Sequence, residues 1–182
     1  MADMDKIRLT VADYLAMPET NQIVELIEGE IIVSPPVDRH QEVFGNVHIV
    51  LHNLIPNGTL RLAPTGLYYD EVNFFEPDGF WVSDDNTQCI LVEGKYWRGG
   101  PDLIFEIISP SSVKHDKETK FEKYEQISVR EYWIIDPEND YMEAYELRDN
   151  KFVKTGIYGP GDKFVFVVLG KEVHVAEILK RK

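Results

Sequence analysis

Between Asp102 and Ser109, inside the bounds set by Pro101 and Pro110, the chain reads Leu-Ile-Phe-Glu-Ile-Ile, an apolar run with a single carboxylate, Glu106, at its centre. A short apolar run without alternation, bounded by turn residues, predicts a strand buried on both faces. Glu106 is anomalous there. Burying an ionised carboxylate alone costs several kcal/mol or forces it to take up a proton, so this position requires a cation, a donor network or water at the strand end.

The 182 residues, 43% hydrophobic and 12% aromatic, suffice for one domain with a full core. The opening MADMDKIRL lacks the apolar segment and cleavage site of a signal peptide, and no stretch of about 18 apolar residues occurs. A soluble, cytoplasmic chain without membrane association is therefore expected. The single cysteine, Cys89, excludes an internal disulfide and a cysteine-based zinc site. A net charge of −13 repels polyanions at long range. The cations are clustered, however, with Lys114, Lys117, Lys120 and Lys123 close together and Lys180, Arg181 and Lys182 closing the chain.

Local patterns predict mixed α/β structure without repeats, read as one domain over 1–182. Thr10 with Asp13 three positions on predicts a capped short helix. Residues 23–36 read as two short strands around Glu28-Gly29, stopped by Pro35-Pro36. From Asp38, the apolar residues Val43, Val47, Val50, Leu51 and Leu54 predict a helix ending at Pro56-Asn57-Gly58. Strands follow at 59–63, 66–74 and 77–83, and 84–100 reads as a surface loop. Ser111 or Ser112 caps a helix over 114–127, and 131–137 is a strand. The tail shows hairpin-like alternation in YMEAYEL, KFVKTGIY, KFVFVVL and KEVHVAEIL.

Asp78 opens one strand and Glu106 sits within another, with a connection long enough to make the strands neighbours. Two converging carboxylates form a hard-oxygen site suited to Mg²⁺ or Mn²⁺, which keeps waters for a phosphate to displace. Such an ion would also resolve the cost of burying Glu106. Each residue has a plain alternative. Pro77-Asp78-Gly79 is a routine turn tripeptide, and the four lysines can mark a solvated helical face. His48 and His52 stand at i, i+4, but no third zinc ligand is apparent, and a helix surface suits them better. Tyr132-Trp133 and Phe164-Phe166 read as core or sheet surface.

The ordered set of Asp78 in EPDGFWV, Glu106 in PDLIFEIISPSS, Lys120 in KHDKETKFEKYEQ and the following VREYWIIDP resembles the Uma2 family of the PD-(D/E)XK nuclease superfamily. VELIEGEII and SPPVDRH extend the resemblance, which covers about Tyr14 to Glu146. It implies a restriction-endonuclease-like core, α-β-β-β-α-β, here with added N-terminal and C-terminal β-hairpins. It also implies metal-dependent endonuclease activity on DNA, with Mg²⁺ or Mn²⁺ held by Asp78 and Glu106 and a lysine assisting the attacking water or the phosphate. The parent motif places that lysine two positions after the acid, where this chain has Ile108. Lys120 is the substitute by position, and Glu25 and His40 match family positions as supporting or third-ligand candidates. DNA would meet the basic strip of the 114–123 helix, and a homodimer would let paired domains address two strands. The alternative is a catalytically inactive protein of the same fold that serves as a protein-interaction module, a reading favoured by Ile108 and the acidic balance.

Overall fold

Thr10 opens the first helix of the computed structural model, which describes residues 8–18, 20, 22–33, 37–109 and 112–181. The Pro35-Pro36 stop, Pro110, Ser111 as a cap and Lys182 lie outside the described residues. So does most of the stretch read for a signal peptide. Helix α1 is Val11–Leu15, and its Thr10–Asp13 capping box is formed in both directions. Strands β1 (Val24–Ile27) and β2 (Glu30–Val33) form the hairpin expected around Glu28-Gly29. Helix α2, Asp38–Leu54, stops at Ile55, which precedes Pro56 and takes an extended conformation.

β3 (Thr59–Leu62), β4 (Leu67–Asp70), β5 (Asn73–Phe75) and β6 (Gly79–Val82) follow. The strand expected over 66–74 is thus two strands, because Asp70 Oδ1 accepts the Val72 N–H at 2.9 Å and the Asn73 side chain at 2.8 Å, closing a turn. The loop expected over 84–100 contains β7 (Ile90–Val92) and β8 (Tyr96–Arg98), turning at Glu93-Gly94 with both residues at positive φ. β9 is Leu103–Ile107. A π-helical turn, His115–Thr119, runs directly into α3, Lys120–Gln126. Ser112 caps no helix; its hydroxyl accepts the Ser109 N–H instead. β10 (Glu131–Asp136), β11 (Tyr141–Arg148), β12 (Lys151–Tyr158), β13 (Lys163–Phe166) and β14 (Lys171–His174) precede α4, Val175–Leu179. That last helix corrects the strand expected through 179.

The strands form two mixed six-stranded sheets, ordered β2-β1-β5-β4-β8-β7 and β12-β11-β10-β9-β6-β3, with β13-β14 as a separate C-terminal hairpin. β9–β10 and β4–β8 are parallel, and the remaining pairs are antiparallel. The second sheet is covered on both faces, as the apolar run at β9 requires. Leu103, Phe105 and Ile107 pack with Val43, Val47 and Leu51 of α2 and Ile178 of α4, while Ile104 and Ile108 pack with Phe80, Tyr124 and Tyr132 on the other face. Tyr132, Trp133, Phe164 and Phe166 are core residues, and His48 and His52 are exposed on α2. Among the described residues no helix is long and apolar enough to cross a membrane.

Candidate active site

Strand alternation decides which way Glu106 faces. It shares a side of β9 with Ile104 and Ile108, towards α3, and is only 3% exposed. Its two oxygens are satisfied separately. Oε1 accepts from Lys120 Nζ at 3.1 Å and Tyr124 OH at 2.8 Å, and Oε2 accepts the Asp78 N–H at 3.3 Å. Of the three remedies a buried carboxylate admits, Glu106 has a cation and a donor network.

Asp78 is not in a free turn. Its carbonyl accepts the Ala63 N–H at 3.0 Å, and Gly79 pairs with Phe105 across β6 and β9. A Cβ on Gly79 would stand 2.4 Å from the Phe105 ring, so glycine is present for close packing at the strand pair. Asp78 Oδ2 accepts the Ile107 N–H at 2.7 Å and lies 3.2 Å from His40 Nε2. Glu25, on β1, places Oε1 2.9 Å from Lys120 Nζ and accepts the Glu76 N–H at 2.9 Å. All five residues singled out in the sequence line one cleft, together with Glu76 and Asp116.

Asp116 is not among the candidates the sequence offers, and Tyr124 reads there only as part of an apolar helical face with Phe121 and Ile127. They stand four positions before and after Lys120, on the helical face that turns inward, and that spacing was the available signal. Asp116 Oδ1 lies 3.1 Å from Lys120 Nζ. Among the described residues it has no aligned hydrogen-bond donor, although its side chain is 3% exposed.

Four buried carboxylates, Glu25, Asp78, Glu106 and Asp116, thus surround one ammonium and His40. Burial pushes Glu106 well above the usual carboxylate range against the pull of Lys120, and Asp116, Asp78 and Glu25 add to the shift. Burial raises Glu25 as well. Burial alone would lower Lys120, but Glu106, Glu25 and Asp116 outweigh it and hold the side chain as an ammonium at any physiological pH. His40 is raised for the same reason, the bond and charge of Asp78 exceeding its desolvation. Hard oxygen donors crowded in a buried cleft, two of them driven toward their neutral forms, fit a divalent cation, whose charge would favour their ionised forms. Among the described residues no three His, Cys, Asp or Glu side chains converge at ligand spacing. An ion would therefore rest on Asp78 and Glu106 and complete its shell with water, as Mg²⁺ does with one or two carboxylates.

The expected basic strip is largely engaged. Lys120 is buried, Lys117 pairs with Glu143 at 2.5 Å, and Lys123 lies 5.2 Å from the centre of the Tyr69 ring. Lys114 is exposed. At the C-terminus Lys180 pairs with Glu177 at 3.0 Å and Arg181 with Asp140 at 3.0 Å.

The sequence profile of the Uma2 family, described as "Putative restriction endonuclease", matches residues 11–172. A protein of Synechocystis sp. with no assigned function is 26% identical over 170 residues, covering 87% of this chain and 92% of its own. A crystal structure from Anabaena variabilis, titled a "putative nuclease belonging to DUF820", superposes with a TM-score of 0.76 at 18% identity, covering 94% of this chain and 97% of its own. At that identity the likeness establishes a shared fold, including the two mixed sheets and the hairpin.

Proposed function

We propose, for a chain that belongs to the Uma2 family, that the acid-lined cleft is the active site of a metal-dependent endonuclease hydrolysing phosphodiester bonds, with DNA as substrate. The observation that carries this reading is the convergence of Asp78, Glu106 and Lys120, far apart in sequence, on one buried cleft crowded with carboxyl groups. The run α2, β3, β6, β9, α3, β10 supports an α-β-β-β-α-β nuclease core, into which β4-β5 and β7-β8 are inserted.

Asp78 and Glu106 would hold the ion, Mg²⁺ or Mn²⁺, on oxygen atoms oriented by the Ile107 amide and by Tyr124. Bound there, the ion supplies a Lewis acid that lowers the pKa of water and offsets charge on the phosphate. Lys120, fixed as an ammonium, cannot accept a proton. Its part is to attract and position the phosphate as negative charge develops on its oxygens. Neighbouring acids keep that charge in place without relying on the position two after Glu106, where Ile108 packs in the core.

Melting the protein with and without Mn²⁺ tests the assignment. A ligand at about 100 times its Kd stabilises the folded state by about 2.7 kcal/mol, and this gain is expected to vanish in Asp78→Asn and in Glu106→Gln. Nicking of plasmid DNA in Mn²⁺ is expected to fall by about 10²-fold or more in Lys120→Met, the scale for losing a preorganised charge. A gain in melting temperature that survives both acid substitutions would refute the site.

One observation favours the rival reading as an interaction module. The lysines that would meet DNA are mostly engaged in pairs, and β12, an edge strand, exposes Val153 and Ile157. A module predicts neither acid-dependent stabilisation by Mn²⁺ nor nicking.

A further inference from the structure

Lys120 is surrounded by more acids than contact with one metal-binding glutamate requires. Its ammonium makes an aligned hydrogen bond to Glu106 Oε1 at 3.1 Å, and it lies 2.9 Å from Glu25 Oε1 and 3.1 Å from Asp116 Oδ1. Glu25 Oε1 already accepts the Glu76 N–H. Asp116 Oδ1 is buried and ion-paired with the ammonium, but among the described residues it receives no aligned hydrogen bond. Its backbone is fixed on both sides, the carbonyl accepting Tyr132 OH at 3.0 Å and the N–H donating to Ser112 O at 3.0 Å. A buried carboxylate oxygen whose ion pair lacks an aligned hydrogen bond is incompletely satisfied and calls for an explanation.

The explanation lies in what a divalent ion would do to Glu106. Two cations sharing one carboxylate in a buried cleft repel each other, so an incoming ion and the ammonium compete for Glu106. Asp116 stands one helical turn before Lys120 and is already as near the ammonium as Glu106 is, 3.1 Å in each case, so a small rotation of the flexible lysine stem suffices to align the ammonium on it. We propose that Asp116 is a positioning residue, the acceptor onto which the Lys120 ammonium shifts when a cation takes Glu106. This proposal rests on the reading of the cleft as a cation site. The π-helical turn, a device that recurs at functional sites, carries Asp116 into Lys120 at the start of α3. Asp116 then governs cation affinity through Lys120 and not by ligating the ion.

Calorimetric titration of the full chain with Mn²⁺, as the single changes and as a double-mutant cycle, tests this. Asp116→Asn is expected to weaken Mn²⁺ binding about tenfold, within the range of coupling between contacting residues. Asp116→Glu, which keeps a carboxylate, is expected to bind within about twofold of the parent chain. In a Lys120→Met background the further change Asp116→Asn is expected to alter affinity by less than about twofold, since there is no ammonium to receive. An equal loss in both backgrounds would make Asp116 a ligand and overturn the proposal, as would an Asp116→Asn protein that binds like the parent. Parallel titrations of Asp78→Asn and Glu106→Gln keep the two levels apart. Mn²⁺ binding that ignores both changes refutes the cleft reading itself, whereas acid-dependent binding with no response to Asp116→Asn refutes only the shift.

Discussion

Glu106 meets an ammonium and a phenol, whereas Glu131, on the neighbouring strand, is held by the Trp133 indole N–H at 2.8 Å and the Val168 amide at 3.0 Å. Burial dominates at Glu131 and raises its pKa from 4.5 to about 7. The folded chain therefore binds more protons than the unfolded chain between those values. A raised carboxyl group contributes stability below its unfolded pKa and loses it as pH climbs through the folded one. Urea titrations should show wild-type stability declining relative to Glu131→Gln as pH rises from about 4.5 to about 7, by up to about 3 kcal/mol. Parallel curves for the two proteins would contradict the assignment. At Glu106 the Tyr124 hydroxyl is the donor that can be removed most cleanly. Tyr124→Phe leaves the aromatic packing against Phe75 and Tyr132, and it should cost about 1–3 kcal/mol of stability in the same assay.

At the level of elements, the site depends on β6 and β9 approaching closely enough for the Asp78 amide to reach Glu106. Gly79→Ala would drive a methyl group into the Phe105 ring, 2.4 Å from its ideal position, and 3.0 Å from the Arg61 carbonyl. Overpacking of this kind costs about 1–3 kcal/mol, and here it should also weaken Mn²⁺ stabilisation, because the pair it separates positions both acids. Elements with their own periodicity or caps were legible: α1 from its Thr10–Asp13 box, α2 from its apolar stripe, and β9 from its uninterrupted run. Glu106 was legible from the apolar run around it, with Asp78 as its prospective partner, whereas Lys120, Glu25 and His40 were legible as candidates only because the order of motifs resembled a family. Spacing alone also allowed a plain turn at Asp78 and a solvated face at Lys120. β7 and β8 were not legible, since three-residue strands owe their existence to pairing with β4 and to Trp97 packing on Phe80, both distant in sequence. α4 was missed because Val173, Val175, Ile178 and Leu179 all enter the core, and a short apolar segment does not distinguish strand from helix.

Across the whole molecule, a net charge of −13 opposes a polyanion at long range, and Lys117, Lys180 and Lys123 are engaged with Glu143, Glu177 and the Tyr69 ring. Phosphate contacts release counterions, and each contributes about −0.9 to the slope of log affinity against log salt. DNA binding measured without divalent metal should therefore show a slope shallower than about −4, and a steeper one would reveal a basic surface that these pairs conceal. Such weak general attraction puts the burden of recognition on the cleft itself. Its content is directly measurable in crystals grown with Mn²⁺, by anomalous diffraction at the manganese edge. The account predicts one strong peak between the carboxylates of Asp78 and Glu106, with the Lys120 ammonium displaced towards Asp116. Full occupancy of Mn²⁺ elsewhere on the surface, with no peak at these two acids, would contradict it.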